Sequence, residues 1–235
     1  MERTYRNVSY LFVALLLVVL AGFWKTYFGL FPAVGHWAGV IHFHAIMLLL
    51  WFGMLIAQPL LIRAKRFSLH RTLGRISYGL VPLVLVSMWL ASRSQYVRFV
   101  GQVPEHQNRA DLFIPLSQLL LFGILYVLAM VYRRQPAWHL RYIVASSVVF
   151  LSPALGRVPD LWTGVMFSWM SLFISFLVPD LVLLGLLVLD FRANKNPRPY
   201  LISLALLLVS HLGWLLLPDS AMWQTTAQSI ITTLF

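Results

Sequence analysis

The chain has 235 residues, 60% of them hydrophobic and only 11% charged, with a formal net charge of +11, a mean hydropathy of +0.80 and no cysteine. A soluble domain carries about 25% charged residues, so this composition argues against an ordinary globular enzyme and for a bilayer-embedded chain. The lack of cysteine removes disulfides, thiolate-ligated metals and clusters, and covalent c-type haem attachment. The basic residues sit in short connections between apolar runs rather than in a soluble basic domain. Membrane orientation accounts for them, and nucleic acid is not an expected partner.

Seven apolar segments are predicted, over residues 8–31, 37–62, 72–92, 111–132, 138–155, 166–190 and 199–217. Irregular backbone cannot face lipid, so each should be helical, and the expected fold is an all-α transmembrane bundle spanning residues 1–217. Arg3 and Arg6 ahead of the apolar stretch 11–21 resemble the start of a signal peptide. However, Gly22-Phe23-Trp24-Lys25-Thr26-Tyr27-Phe28 offers no small-residue cleavage site, so a retained helix with an interfacial aromatic belt is expected. Segment five ends in Ser152-Pro153 and should be broken or tilted. Segment six carries Pro179 followed at once by Asp180, and a bend is expected there. In the tail, 218–235, residues Trp223, Ala227, Ile230, Ile231 and Leu234 share one helical face. Either an amphipathic helix on the outer membrane surface or a disordered tail fits that pattern.

Alternate connections differ in charge. Thirteen of the 18 Lys and Arg fall at the N-terminus and in the second-to-third, fourth-to-fifth and sixth-to-seventh connections. The positive-inside bias then places the N-terminus in the cytoplasm and the C-terminus outside, as in a bacterial cytoplasmic (inner) membrane.

A weak repeat runs through the middle of the chain. Leu50-Trp51-Phe52-Gly53, Arg63 and His70-Arg71 are matched by Leu120-Leu121-Phe122-Gly123, Arg133 and His139-Leu140-Arg141. Duplication of a helical hairpin explains this, and so does similar composition in two apolar hairpins.

Ionisable side chains at membrane depth are costly, so each is a candidate site residue. His44, Trp51 and Gln58 recur every seven residues and form one stripe of segment two. His44 lies roughly 10 Å from the outer end of its segment and His211 roughly 9 Å from the outer end of segment seven. Matching depth on two helices is what joint ligation of a haem iron or a metal requires, because neutral imidazole serves either. His42, two positions from His44, points the other way, and His36 precedes both. On the cytoplasmic side, His70 and His139 occupy equivalent places in the repeat, suited to a second haem, a quinone headgroup or simple interfacial anchoring. Asp180 lies roughly 20 Å from the outer end, near the midplane. Proton relay, cation coordination and bonding to the backbone freed by Pro179 are all open to it. Gln58 and Gln118 read as hydrogen-bond partners within the bundle, and Arg157 with Asp160 as a local loop pair. No phosphate-binding glycine loop, nucleophile elbow or His-Glu-x-x-His zinc motif is present.

The run His44-Ala45-Ile46-Met47, then Arg63, then His70 resembles the His-x-x-Met…Arg…His run of ascorbate-reducible b-type cytochromes. That resemblance implies haem b held by helical histidines near both membrane faces, and it reaches His44 and His70 only. Leu69-His70-Arg71-Thr72-Leu73-Gly74-Arg75 resembles the His-Arg-x-x-Gly signature of an uncharacterised bacterial family of polytopic membrane proteins, which implies no activity.

Three functions are compatible with these residues. The first is haem b or metal binding through membrane-embedded histidines, for electron transfer or sensing. The second is a small-solute or proton-coupled transporter or channel subunit using Asp180. The third is a structural subunit of a membrane complex, partnered by another membrane protein or by its own copies.

Overall fold

The computed structural model describes residues 7–30, 38–159 and 169–235, and every regular element among them is helical. Chain order gives α1 (Val8–Gly22), α2 (Ala38–Arg63), α3 (Phe67–Phe99), α4 (Glu105–Asp111), α5 (Phe113–Val131), α6 (Pro136–Val148), α7 (Leu151–Leu155), α8 (Trp169–Arg192), α9 (Arg198–Leu216) and α10 (Ala221–Leu234), with a 3-10 turn at Phe28–Leu30. Five stretches are long and apolar enough to cross a membrane: Gly39–Arg63, Phe67–Phe99, Glu105–Val131, Met170–Arg192 and Arg198–Leu216. Five of the seven predicted segments map onto these. The first becomes the 15-residue α1, and the fifth becomes the broken pair α6 and α7.

The break in segment five comes at Val149-Phe150, where the Ser152-Pro153 expectation puts it, because Pro153 has no amide to donate to the Val149 carbonyl four residues earlier. Phe150 turns into the centre of the bundle, where its ring lies 4.9 Å from Phe122 and 5.9 Å from Phe52. Trp51 closes the same cluster edge-on to Phe122 at 5.6 Å. Trp51, Phe52, Phe122 and Phe150 are all buried and form the heart of the main core. Away from it, Leu177, Leu181, Leu184 and Val188 of α8 and Leu208, Val209, Leu212 and Leu215 of α9 stand exposed. An apolar surface of that extent suits contact with lipid and not with water.

Turns at one end of the bundle are tight and built for their sequences. Lys65 takes a positive φ of 57°, and the Arg66 amide donates to the Leu61 carbonyl at 2.9 Å, closing α2 in a Schellman-type cap. Asn194, with φ 50°, ends α8 the same way as the Lys195 amide donates to the Asp190 carbonyl at 2.9 Å. Pro136 and Pro199 stand in the first turns of α6 and α9, where no intrahelical amide bond is lost.

Helix α3 is longer than predicted, running on past residue 92 to Phe99, and α4 lies beside its end. The tail forms α10, capped by Ser220, whose hydroxyl accepts from the Trp223 amide at 3.2 Å. The Trp223 indole donates to the Arg109 carbonyl at 2.9 Å and stands edge-on to Phe113 at 4.9 Å. Phe235 meets Trp89 at 5.2 Å, so α10 is fastened to α3, α4 and α5 rather than lying free.

Candidate functional sites

Four polar groupings are held inside the bundle. The first is His44, whose Nδ1 lies 3.1 Å from the Ser87 hydroxyl on α3. That hydroxyl donates to the Val84 carbonyl at 2.7 Å, so it accepts from His44 and leaves the Nε2 lone pair of His44 uncommitted. His42 faces the other way, as its spacing predicts, and its Nδ1 meets the Tyr27 hydroxyl at 2.5 Å. His36 and Asp160 lie outside the described residues. Arg157 donates to the Pro153 carbonyl at 2.5 Å and lies over the Phe23 ring at 4.5 Å.

The second grouping joins two residues that the sequence treats separately. His211 Nδ1 on α9 lies 3.2 Å from Asp180 Oδ2 on α8. The imidazole stacks on Phe176 at 4.3 Å with an interplanar angle of 19°, and Trp214 closes edge-on against Phe176 at 5.2 Å. Asp180 Oδ1 is buried with no hydrogen-bond partner. His44 and His211 belong to different neighbourhoods, since α2 packs on α1 and α3 whereas α9 packs on α5, α6 and α8. Each of the two imidazoles has its own protein partner.

The third grouping lies where the two hairpins of the repeat meet. His70, in the first turn of α3, and His139, in the first turn of α6, are within electrostatic reach of one another, and Arg71 is within reach of His70. His139 Nδ1 donates to the Ala129 carbonyl at 2.8 Å, which leaves its Nε2 as a free acceptor or ligand atom. His70 Nδ1 is buried without a partner. Beside it the Gln58 side chain passes over Gly74, where an added Cβ would sit 3.9 Å from Gln58 Nε2. Ser77 donates to the Gly74 carbonyl at 2.6 Å and shares a 2.8 Å bond with the Tyr126 hydroxyl. Tyr126 stands edge-on to Trp51 at 5.9 Å. Gln58 Oε1 and Trp51 Nε1 are, like His70 Nδ1, buried and unpartnered. Three orphaned polar atoms on α2 and the first turn of α3 stand out, because buried polar groups are nearly always paired.

The fourth grouping escaped the sequence reading. Arg141 and Asp190 are 1% and 0% exposed and form a fork-to-fork ion pair, Nε to Oδ2 at 2.5 Å and Nη2 to Oδ1 at 2.8 Å. By sequence Arg141 reads as a basic residue of a connection and as a member of the repeat. The available signal was Asp190 itself, the one carboxylate besides Glu2 on the side that carries thirteen basic residues. Among the described residues no three His, Asp or Glu side chains converge as a metal-binding group.

Comparison with protein-family models, with curated proteins and with solved structures finds no match for this chain. The case for function therefore rests on these residues alone.

Proposed function

We propose that this chain is an integral membrane protein that holds haem b between His70 and His139 and serves in electron transfer. It crosses the bilayer seven times with its N-terminus in the cytoplasm, in a bacterial cytoplasmic (inner) membrane. The five long apolar helices supply five crossings; α1 and the α6–α7 pair, packed on one another, supply the other two. The charge of the connections supports the orientation.

What supports the haem reading is that His70 and His139, from the two matched hairpins, lie within electrostatic reach of one another, each with an uncommitted ring nitrogen. A carbonyl that fixes Nδ1–H on one ligand is the usual way to orient the opposite nitrogen toward iron. Arg71 and the basic turn between α2 and α3 offer cations for haem propionates. Bound haem would supply a one-electron couple, and the surrounding apolar helices would keep water from it. This reading favours His70 with His139 over the pairing of His44 with His211, because the latter two face different partners.

The expected result is a Soret band in protein purified from haem-replete cells. It should be lost, or reduced at least tenfold, in His70→Ala and His139→Ala and retained in His44→Ala and His211→Ala. A colourless wild-type preparation sinks the proposal.

A further inference from the structure

Asp180 and His211 stand apart from the haem site and have no part in it. Asp180 is the twelfth of the 24 residues of α8, roughly 18 Å from the Arg192 end, and His211 lies roughly 20 Å from the Arg198 end of α9. Both therefore sit within the hydrocarbon layer, Asp180 near its middle and His211 nearer the Leu216 end. A carboxylate at that depth is expensive and needs a reason. A purely structural partner for the imidazole would not require an acid, since a serine suffices for His44. Nor would a structural acid leave one oxygen buried and unbonded, as Oδ1 is here.

We propose that Asp180 and His211 form a proton-binding pair at membrane depth. Their 3.2 Å separation between Oδ2 and Nδ1 lets one proton be held on either side. When His211 Nε2 takes up a proton, Nδ1 releases its own to Oδ2. The imidazole stays neutral with its tautomer exchanged, and the carboxylate becomes a carboxylic acid. No electron moves, and return of the proton restores the starting state. Stacking on Phe176 holds the ring in register through both forms. Pro179 leaves α8 without one internal amide bond immediately before the acid.

Among the described residues, His211 is the ionisable side chain placed to exchange a proton with Asp180. Helix α8 packs against α6, α7 and α9. On α6 the ionisable side chains are His139, Arg141 and Tyr142; α7 has none, though Arg157 follows it; α9 carries Arg198, Tyr200 and His211. Arg141 is engaged by Asp190, ten residues and roughly 15 Å along α8 from Asp180. His139 bonds to Ala129, and Arg157 bonds to Pro153. Tyr200 is eleven residues, roughly 16 Å, along α9 from His211. His211 alone of these stands at contact distance from the acid.

Infrared difference spectroscopy of the full chain in liposomes, titrated in pH, tests the proposal. The expected result is a carboxylic C=O band that grows as pH falls and is missing in Asp180→Asn. In Asp180→Glu the band should shift in frequency but persist. In His211→Gln its midpoint should move by at least one pH unit, a tenfold change in proton affinity. A wild-type protein with no such band overturns the proposal, as does a band unchanged in both Asp180 variants. A midpoint that ignores His211→Gln also overturns it, leaving Asp180 as a solitary acid.

Discussion

Replacing Asp190 with leucine is expected to destabilise the folded bundle by about 3–5 kcal/mol, because it strands a buried guanidinium with its charge unmatched. Arg141 is 1% exposed and its Nη1 donates to the Ala137 carbonyl at 2.8 Å, so it has no route to water without breaking α6. Arg141→Met should cost a comparable amount by stranding the carboxylate. The double variant Arg141→Met, Asp190→Leu should recover most of the loss, since two matched apolar groups need no desolvation. Thermal unfolding of the detergent-solubilised single and double variants measures the coupling. Strictly additive losses would mean that the two side chains do not depend on one another, contrary to the 2.5 and 2.8 Å bonds.

Gly22→Ala is the second large effect expected. A Cβ added at Gly22 would lie 2.3 Å from the Ala154 carbonyl oxygen and 2.7 Å from its carbon. Both sides of that clash are backbone, so no rotamer change relieves it, and α1 must move away from α7. Overpacking of this kind costs about 1–3 kcal/mol and sometimes more, and a leucine at the same place should expel α1 altogether. Gly53→Ala is the control: it lies within α2 with nothing within 4 Å of its added Cβ. There the substitution should be neutral or slightly stabilising, because alanine favours helix by about 0.5–1 kcal/mol over glycine. Equal melting temperatures for the two variants would show that α1 does not dock on α7 through Gly22.

Much of the candidate chemistry within single hairpins is legible in the sequence. Two antiparallel helices joined by a short turn bring residues equidistant from the turn to the same depth. Asp180 stands fifteen residues before the middle of the 193–197 turn and His211 sixteen after it. Gln58 and His70 bracket residue 64 equally, and His44 and Ser87 bracket the same turn. Depth alone matches His44 to His211, whereas this nearer symmetry pairs each with its own hairpin partner.

Contacts between hairpins follow a different logic. The long apolar helices, the polarity of their ends and the tight basic turns are set by the sequence itself, since a bilayer dictates length and backbone pairing. Which helix lies beside which is another matter, because lipid tails are as apolar as leucine and give no preference among apolar faces. Close fit decides it instead. Phe150, at the break in segment five, enters the cluster of Phe52 and Phe122, and Gly22 admits the Ala154 backbone. Arg141 reaches Asp190 across 49 residues, and His70 comes near His139. Those contacts depend on shape complementarity across the whole bundle, which no local pattern of residues encodes, and so only the tertiary structure decided them.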